Sequence, residues 1–271
     1  MTHTRTEINA LLAAHDLGPS RALGQNFVAD PNTVRRIARL ARVGPDTPVV
    51  EIGAGLGSLT LALAETGAPV TAVEIDRHLR PILAEVVDGL DVTVVAGDAM
   101  ALDWSELLAG HPRWVLVANL PYNVATPLVL DLLAGVPAIE RMLVMVQLEA
   151  GERLVAEPGS AAYGIPSVKV ALRATGRLVG KVSPEGFVPR PRVDSALVEI
   201  VRRPEPATDA DPDELVALVE RAFNQRRKML RRSLAGLVTP EQFEAAGIDP
   251  QDRPECLSVE DWGRLTRAVH G

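Results

Sequence analysis

Short apolar runs recur through the first two hundred residues, each closed by a glycine, a proline or an acid. Residues 48–52, 70–73, 92–95, 114–118 and 141–146 read as buried strands. Between them lie stretches with apolar residues at helical spacing: residues 32–42 behind an Asp30-Pro31 cap, then 58–66, 126–133 and 147–156. Strand and helix therefore alternate, which predicts an α/β fold with a mostly parallel sheet wrapped by helices. Residues 168–178 alternate apolar and polar positions and predict a half-buried sixth strand, with residues 197–201 as the seventh. The short link between these two predicts an antiparallel hairpin at the sheet edge. Pro204-Glu205-Pro206-Ala207-Thr208 has the composition of a linker, and beyond it Leu215, Leu218, Val219, Ala222 and Phe223 share a helical face. The pattern predicts one domain over residues 1–204, opened by an N-terminal lid segment (1–45), and a small all-helical domain over 208–271.

The candidate chemistry sits at the strand ends, because ligands of open α/β sheets bind beyond the carboxyl ends of strands. Asn119-Leu120-Pro121-Tyr122 follows the fourth strand, and its proline stiffens the turn. An Asn oxygen and a main-chain carbonyl can together accept both hydrogens of a planar exocyclic amine, while a Tyr ring stacks on the heterocycle bearing it. That suits the amino group of adenine; taken alone, the segment also fits an ordinary Asn/Pro turn. Gly53-Ala54-Gly55-Leu56-Gly57 makes a tight turn after the first strand, but its spacing departs from the dinucleotide fingerprint and disfavours a nicotinamide enzyme. Glu74 ends the second strand about 20 residues later, where an acid accepts from ribose hydroxyls. Asp98-Ala99 ends the third, an acid for an adenine amino group followed by a backbone N–H for the ring. Each acid alone also fits a helix N-cap. No phosphate-cradling loop is present and no Lys or Arg lies in the glycine turn, so a nucleoside without pyrophosphate is expected, which favours S-adenosylmethionine.

Two further segments have alternative readings. Residues 21–28, polar around Phe27, form either an entry loop whose ring plugs the core or a lid strand over the ligand. In Phe187-Val188-Pro189-Arg190-Pro191-Arg192, the prolines hold the chain extended and two arginines flank a ring. Aromatics are only 3% of the chain, so Tyr122 and Phe187 in polar loops suggest stacking on bases, with a core anchor as the alternative for Phe187.

The net charge of −7 argues mildly against nucleic acid. Local patches reverse this: residues 221–240 hold six basic residues and no acid, and residues 169–192 hold six against Glu185 alone. The repeated arginines of residues 35–42 read as a solvated helix face. One cysteine and five scattered histidines give no disulfide and no metal site. No apolar run reaches the roughly 20 residues that cross a bilayer, and the polar N-terminus has no signal-peptide core, so a cytoplasmic protein is expected.

Leu23-Gly24-Gln25-Asn26-Phe27, Glu51-Ile52-Gly53-Ala54-Gly55, Asn119-Leu120-Pro121-Tyr122-Asn123, residues 187–195 and Ala222-Phe223-Asn224-Gln225-Arg226-Arg227-Lys228 together resemble the bacterial small-subunit ribosomal RNA adenine dimethyltransferases (the kasugamycin-sensitivity, KsgA/RsmA, family). The chain departs from that pattern at Ala22, Val28, Leu148 and Pro166. The resemblance implies a Rossmann-like, seven-stranded methyltransferase sheet and S-adenosylmethionine as cofactor. It places Asn26, Val28, Gly53, Gly55, Glu74, Asp98, Ala99 and Asn119 at the cofactor. Asn119 and Leu120 would hold the target amine, and Tyr122 and Phe187 would sandwich the base. Arg190, Arg192, Arg226, Arg227, Lys228, Arg231 and Arg232 would bind RNA. The implied substrate is a pair of adjacent adenosines in the 3′-terminal hairpin loop of 16S rRNA within the small ribosomal subunit, acted on by a monomer. Rival readings are a 23S rRNA adenine methyltransferase, a DNA adenine methyltransferase, and a non-catalytic assembly factor on the same fold.

Overall fold

The computed structural model describes residues 2–271. Its strands are β1 (Phe27–Val28), β2 (Val49–Ile52), β3 (Val70–Glu74), β4 (Val92–Ala96), β5 (Trp114–Asn119), β6 (Ile139–Gln147), β7 (Ala174–Val182), β8 (Phe187–Val188) and β9 (Ser195–Arg202). Seven form one sheet in the order β4-β3-β2-β5-β6-β9-β7, while β1 and β8 pair with each other. β2 to β6 run parallel and β9 runs antiparallel to β6. Every residue of β2 is buried, as expected for a central parallel strand covered on both faces.

The chain divides into two compact units, Met1–Gly151 with Arg177–Val201, and Glu152–Gly176 with Arg202–Gly271. The first unit carries helices α1 (Arg5–Ala14), α2 (Pro31–Ala41), α3 (Ser58–Ala64), α4 (Leu79–Val86), α5 (Trp104–Leu107) and α6 (Ala125–Gly135), and α7 (Leu148–Leu154) runs across its boundary. α2 starts as the sequence predicts: the Asp30 carboxylate accepts from the Asn32 and Thr33 N–H groups, and Pro31 needs no partner in the first turn. One face of the sheet and the buried sides of α2 and α3 share a core that includes Val34, Ile37, Val49, Leu63, Val117, Leu143, Leu197 and Phe187.

The second unit holds α8 (Ile165–Arg173), α9 (Pro212–Phe223), α10 (Leu230–Ser233), α11 (Pro240–Ala246) and α12 (Val259–His270) around Trp262, Leu215, Leu230 and Phe243. Two expectations are corrected here. Residues 168–178 are not one strand: α8 occupies the first half and β7 begins at Ala174. Ile165, Val168 and Leu172 share a helical stripe that enters the second unit's core, a spacing hidden under the two-residue alternation with Lys169, Ala171 and Arg173. Ser167 helps start the helix by accepting from the Gly164 N–H at 3.1 Å. The first domain is also not continuous over 1–204: the chain does divide close to the expected linker, after Val201, but residues 152–176 belong with the C-terminal helices. Tyr163, just ahead of α8, is buried in the same unit and donates its hydroxyl to the Leu257 carbonyl at 2.8 Å.

Candidate active site

From β2 the chain builds β3 and β4 on one side of the sheet, then returns through β5 and β6 on the other. The strand order thus reverses between β2 and β5, and such a switch point opens a crevice at their carboxyl ends. Two turns fill its floor: the glycine turn after β2 and the Asn-Leu-Pro-Tyr turn that ends β5.

Gly53 and Gly55 hold φ angles of 73° and 59°, which side chains other than glycine adopt at a cost. A Cβ on Gly55 would lie 3.0 Å from the Phe27 ring, so the ring seats directly on the turn. Glu74 clamps the turn from β3. Its Oε2 accepts from the Gly55 N–H at 2.7 Å and its Oε1 from the Asp76 N–H at 2.8 Å. Burial raises the Glu74 pKa, and these two backbone donors oppose that rise.

The N-terminal segment is fastened beside these turns at several points. β1 pairs antiparallel with β8, Phe27 opposite Val188 and Val28 opposite Phe187. The Ala29 N–H donates to the Gly186 carbonyl at 2.7 Å, and Gln25 Nε2 donates to Asp76 Oδ2 at 2.8 Å. Asn119 reaches up to the same segment: its Nδ2 donates to the Asn26 carbonyl at 2.9 Å. That bond orients the amide, leaving Oδ1 without a donor among the described residues. The Leu120 N–H is taken by the Met145 carbonyl at 3.1 Å, whereas the Leu120 carbonyl accepts from no described group. Two acceptor oxygens therefore stand free on one rigid bend. Beside them the half-buried Tyr122 is held at its hydroxyl, 2.7 Å from Oγ of the fully buried Ser195. Burial raises the Tyr122 pKa, so it stays a neutral phenol.

Three cavities share walls around these turns. One of about 70 Å³ is lined by Asn26, Gly53, Gly55, Glu74, Asn119, Leu120 and Tyr122 among others. A second of about 180 Å³ is lined by Gly53, Val73, Ile75, Asp98, Ala99 and Pro121 among others, largely apolar. A third of about 30 Å³ lies under the glycine turn, with Val28, Glu51, Gly53, Ser58 and Asn119 in its wall. Asp98 Oδ1 accepts from the Met100 N–H at 2.9 Å, capping its own turn.

All the cofactor-side residues predicted from sequence thus line one of these cavities. Phe187 does not, and the expectation of an exposed stacking ring is corrected: its side chain is fully buried in the sheet core. The ring follows from register, since pairing with Val28 turns it inward. Arg190 and Arg192 are exposed, with Arg190 3.9 Å from Glu185. In the second unit Arg227, Lys228, Arg231 and Arg232 are exposed. Arg226 is engaged within its own unit, donating from Nε to Glu255 at 2.6 Å and from Nη2 to the Ala161 carbonyl at 2.8 Å.

Sequence reasoning passed over Glu51. Its carboxyl is buried, its Oε2 has no hydrogen-bond partner, and burial pushes its pKa up to about 8, with Thr60 opposing and Glu74 adding to the rise. The available signal was an acid inside the otherwise apolar strand Val49–Ile52. Gln25 and Ser195 were read only as parts of motifs, because their partners are distant in the chain. Among the described residues, no three His, Cys, Asp or Glu side chains cluster as metal ligands, and no helix is long and apolar enough to cross a membrane.

Residues 20–270 match the family described as ribosomal RNA adenine dimethylase. The chain is similar to proteins named ribosomal RNA small subunit methyltransferase A. That of Kineococcus radiotolerans is 48% identical, covering 98% of this chain and 94% of the relative. That of Streptomyces avermitilis is 47% identical, covering 96% and 91%. Among solved structures, the 23S rRNA methyltransferase ErmE superposes with a TM-score of 0.72 at 28% identity, covering 90% of this chain and all of that one. A dimethyladenosine transferase from Plasmodium falciparum superposes at 0.73 with 23% identity, covering 87% and 94%, and shares the fold. With its methyltransferase fold and a match running over nearly its whole length, the chain belongs to the ribosomal RNA adenine dimethylase family.

Proposed function

We propose that this chain transfers methyl groups from S-adenosylmethionine to N6 of two adjacent adenosines in the 3′-terminal hairpin loop of 16S rRNA. It does so on the small ribosomal subunit, in the cytoplasm, and as a monomer. The observation that carries the reading is the pair of unengaged acceptors, Asn119 Oδ1 and the Leu120 carbonyl, on a bend held at Asn119 Nδ2, the Leu120 N–H, the Pro121 carbonyl and the Tyr122 hydroxyl. Relatives named for the small subunit at 47–48% identity favour 16S rRNA over the 23S substrate of the less similar ErmE.

The residues present fit the cofactor. The largely apolar cavity ending at Asp98 and Ala99 would take its adenine, and Glu74 its ribose hydroxyls through the lone pairs not used by Gly55 and Asp76. The unpartnered Glu51 Oε2 supports placing the ammonium of the methionine part beneath the glycine turn, with Asn26 and Val28 closing over it. Bound, the cofactor supplies a methyl group on a sulfonium sulfur that leaves as a neutral thioether. Asn119 and Leu120 accept the two hydrogens of the adenine amine and favour a tetrahedral nitrogen over the conjugated planar one, freeing the lone pair for attack. Tyr122 stacks on the ring from a fixed position and aligns the nitrogen with the carbon–sulfur bond. In this arrangement the chain would hold the nitrogen in line with the methyl group, and the proton lost from the nitrogen on transfer would pass to solvent. A base in a hairpin loop is cheap to splay into such a pocket. Arg190, Arg192, Arg227, Lys228, Arg231 and Arg232 grip RNA phosphates.

Mass spectrometry of nucleosides from unmethylated small subunits, incubated with protein and S-adenosylmethionine, tests this. N6,N6-dimethyladenosine in 16S rRNA is expected. Unmodified 16S rRNA, or product only on 23S rRNA, overturns the proposal.

A further inference from the structure

Helix α2 carries Arg35, Arg36 and Arg39, ends on Arg42, and has no acid in its span. Val34, Ile37, Ala38 and Ala41 face the core, so Arg35, Arg39 and Arg42 form one exposed stripe at i, i+4 and i+7. Like charges four residues apart disfavour an isolated helix. The Arg35 and Arg39 side chains have no partner among the described residues.

The sheet extends the stripe. Glu199, buried on β9, is reached by Arg42, by Arg177 Nη2 at 2.6 Å and by Arg141 Nη1 at 4.0 Å. One carboxylate thus serves three guanidinium groups, and the side chains of Arg42 and Arg177 stay 60% and 67% exposed. Arg36 ties the helix to the edge strand by donating to the carbonyls of Lys181 and Val179. Glu140, beside Arg141, is already paired with Arg113. A strongly positive face therefore persists on a chain whose net charge is −7.

We propose that this face is a second RNA-docking surface, gripping phosphates of a different RNA segment from the one whose base enters the pocket. The proposal rests on the ribosomal RNA reading given above. Guanidinium groups repeated along a line match a phosphate backbone, and the stripe offers none of the aromatic anchors of a protein interface. Its place in the sheet separates it from the pocket. Arg141 pairs with Val115, four residues before Asn119 on β5, about 13 Å away at the usual rise per strand residue. A hairpin that delivers its base at Asn119 does not need this face; a larger particle does.

The test is Arg35→Gln/Arg39→Gln in the full chain, since Gln keeps helix propensity. Binding is measured to an isolated target hairpin, to naked 16S rRNA and to unmethylated small subunits over a salt series. Affinity for the hairpin should stay within twofold of native. Affinity for the subunit and for 16S rRNA should fall at least tenfold, with the log–log salt slope shallower by about 1.5 for two lost phosphate contacts. Unchanged subunit binding overturns the proposal, as does an equal loss on the hairpin. A loss on the subunit with normal 16S rRNA binding assigns the face to an acidic protein and also overturns it. Failure of the native chain to methylate the subunit would be a separate result, striking the proposed function while these binding ratios remain readable.

Discussion

Replacing Asn119 with alanine separates the roles of its two amide atoms. Nδ2 holds the Asn26 carbonyl at 2.9 Å, a half-buried hydrogen bond that contributes about 1 kcal/mol. Its loss should lower Tm by about 2–4 °C and weaken cofactor binding a few-fold by loosening the lid. Oδ1 has no donor among the described residues, and under the proposed function it meets the target amine, so its loss should act on the transition state. Removing one preorganised group of this kind costs about 10²–10³ in rate, or about 2.7–4 kcal/mol. Two measurements divide the effect: calorimetric titration of S-adenosylmethionine, and single-turnover methyl transfer at saturating cofactor and RNA. The expected outcome is a modest change in the first and a loss of at least a hundredfold in the second. A variant that binds cofactor normally and transfers methyl within tenfold of native would refute the reasoning, because the acceptor would then do nothing for the reacting nitrogen.

Glu51 predicts an inverse pH dependence. Its folded pKa is raised from 4.5 to about 8, so between those values the unfolded chain releases a proton that the folded chain keeps. Cofactor-free stability should fall by up to about 1.4 kcal/mol per pH unit from pH 4.5 to 8 and flatten above. Denaturant titrations of Glu51→Gln should show a shallower fall, while native-like slopes in the variant would contradict the assignment; Glu74, raised in the same direction, keeps part of it. Phe187→Ala should lose about 3–5 kcal/mol in chemical denaturation, as a buried ring does, whereas Tyr122→Ala should lose less, about 1–3 kcal/mol for the Ser195 hydroxyl left buried without its partner, and should lose methyl transfer. Arg226→Ala should lower stability through its lost bonds to Glu255 and Ala161, while Arg227→Ala/Lys228→Ala should leave Tm unchanged and reduce the salt dependence of RNA binding.

The alternation of strand and helix was legible in the chain, since each central strand is a short apolar run and each turn bears its own glycine, proline or acid. That the residues at the strand ends would line common cavities was legible for the same reason: in a parallel sheet, strand ends converge on one rim whatever the details of packing. Local chemistry determined where the turns fall and which polar groups they carry. Tertiary structure decided what those groups face. Residues 168–178 became a helix and a strand because their apolar positions met the second unit's core, which outweighs a two-residue alternation. Phe187 went inward because its pairing with Val28 fixed its side. Glu51 gained meaning only when folding buried it, and the arginines of α2, already spaced along one helical face, only when the sheet brought Arg141 and Arg177 to the same carboxylate as Arg42. Burial, register and long-range proximity depend on which distant segments meet, and no spacing along the chain encodes them.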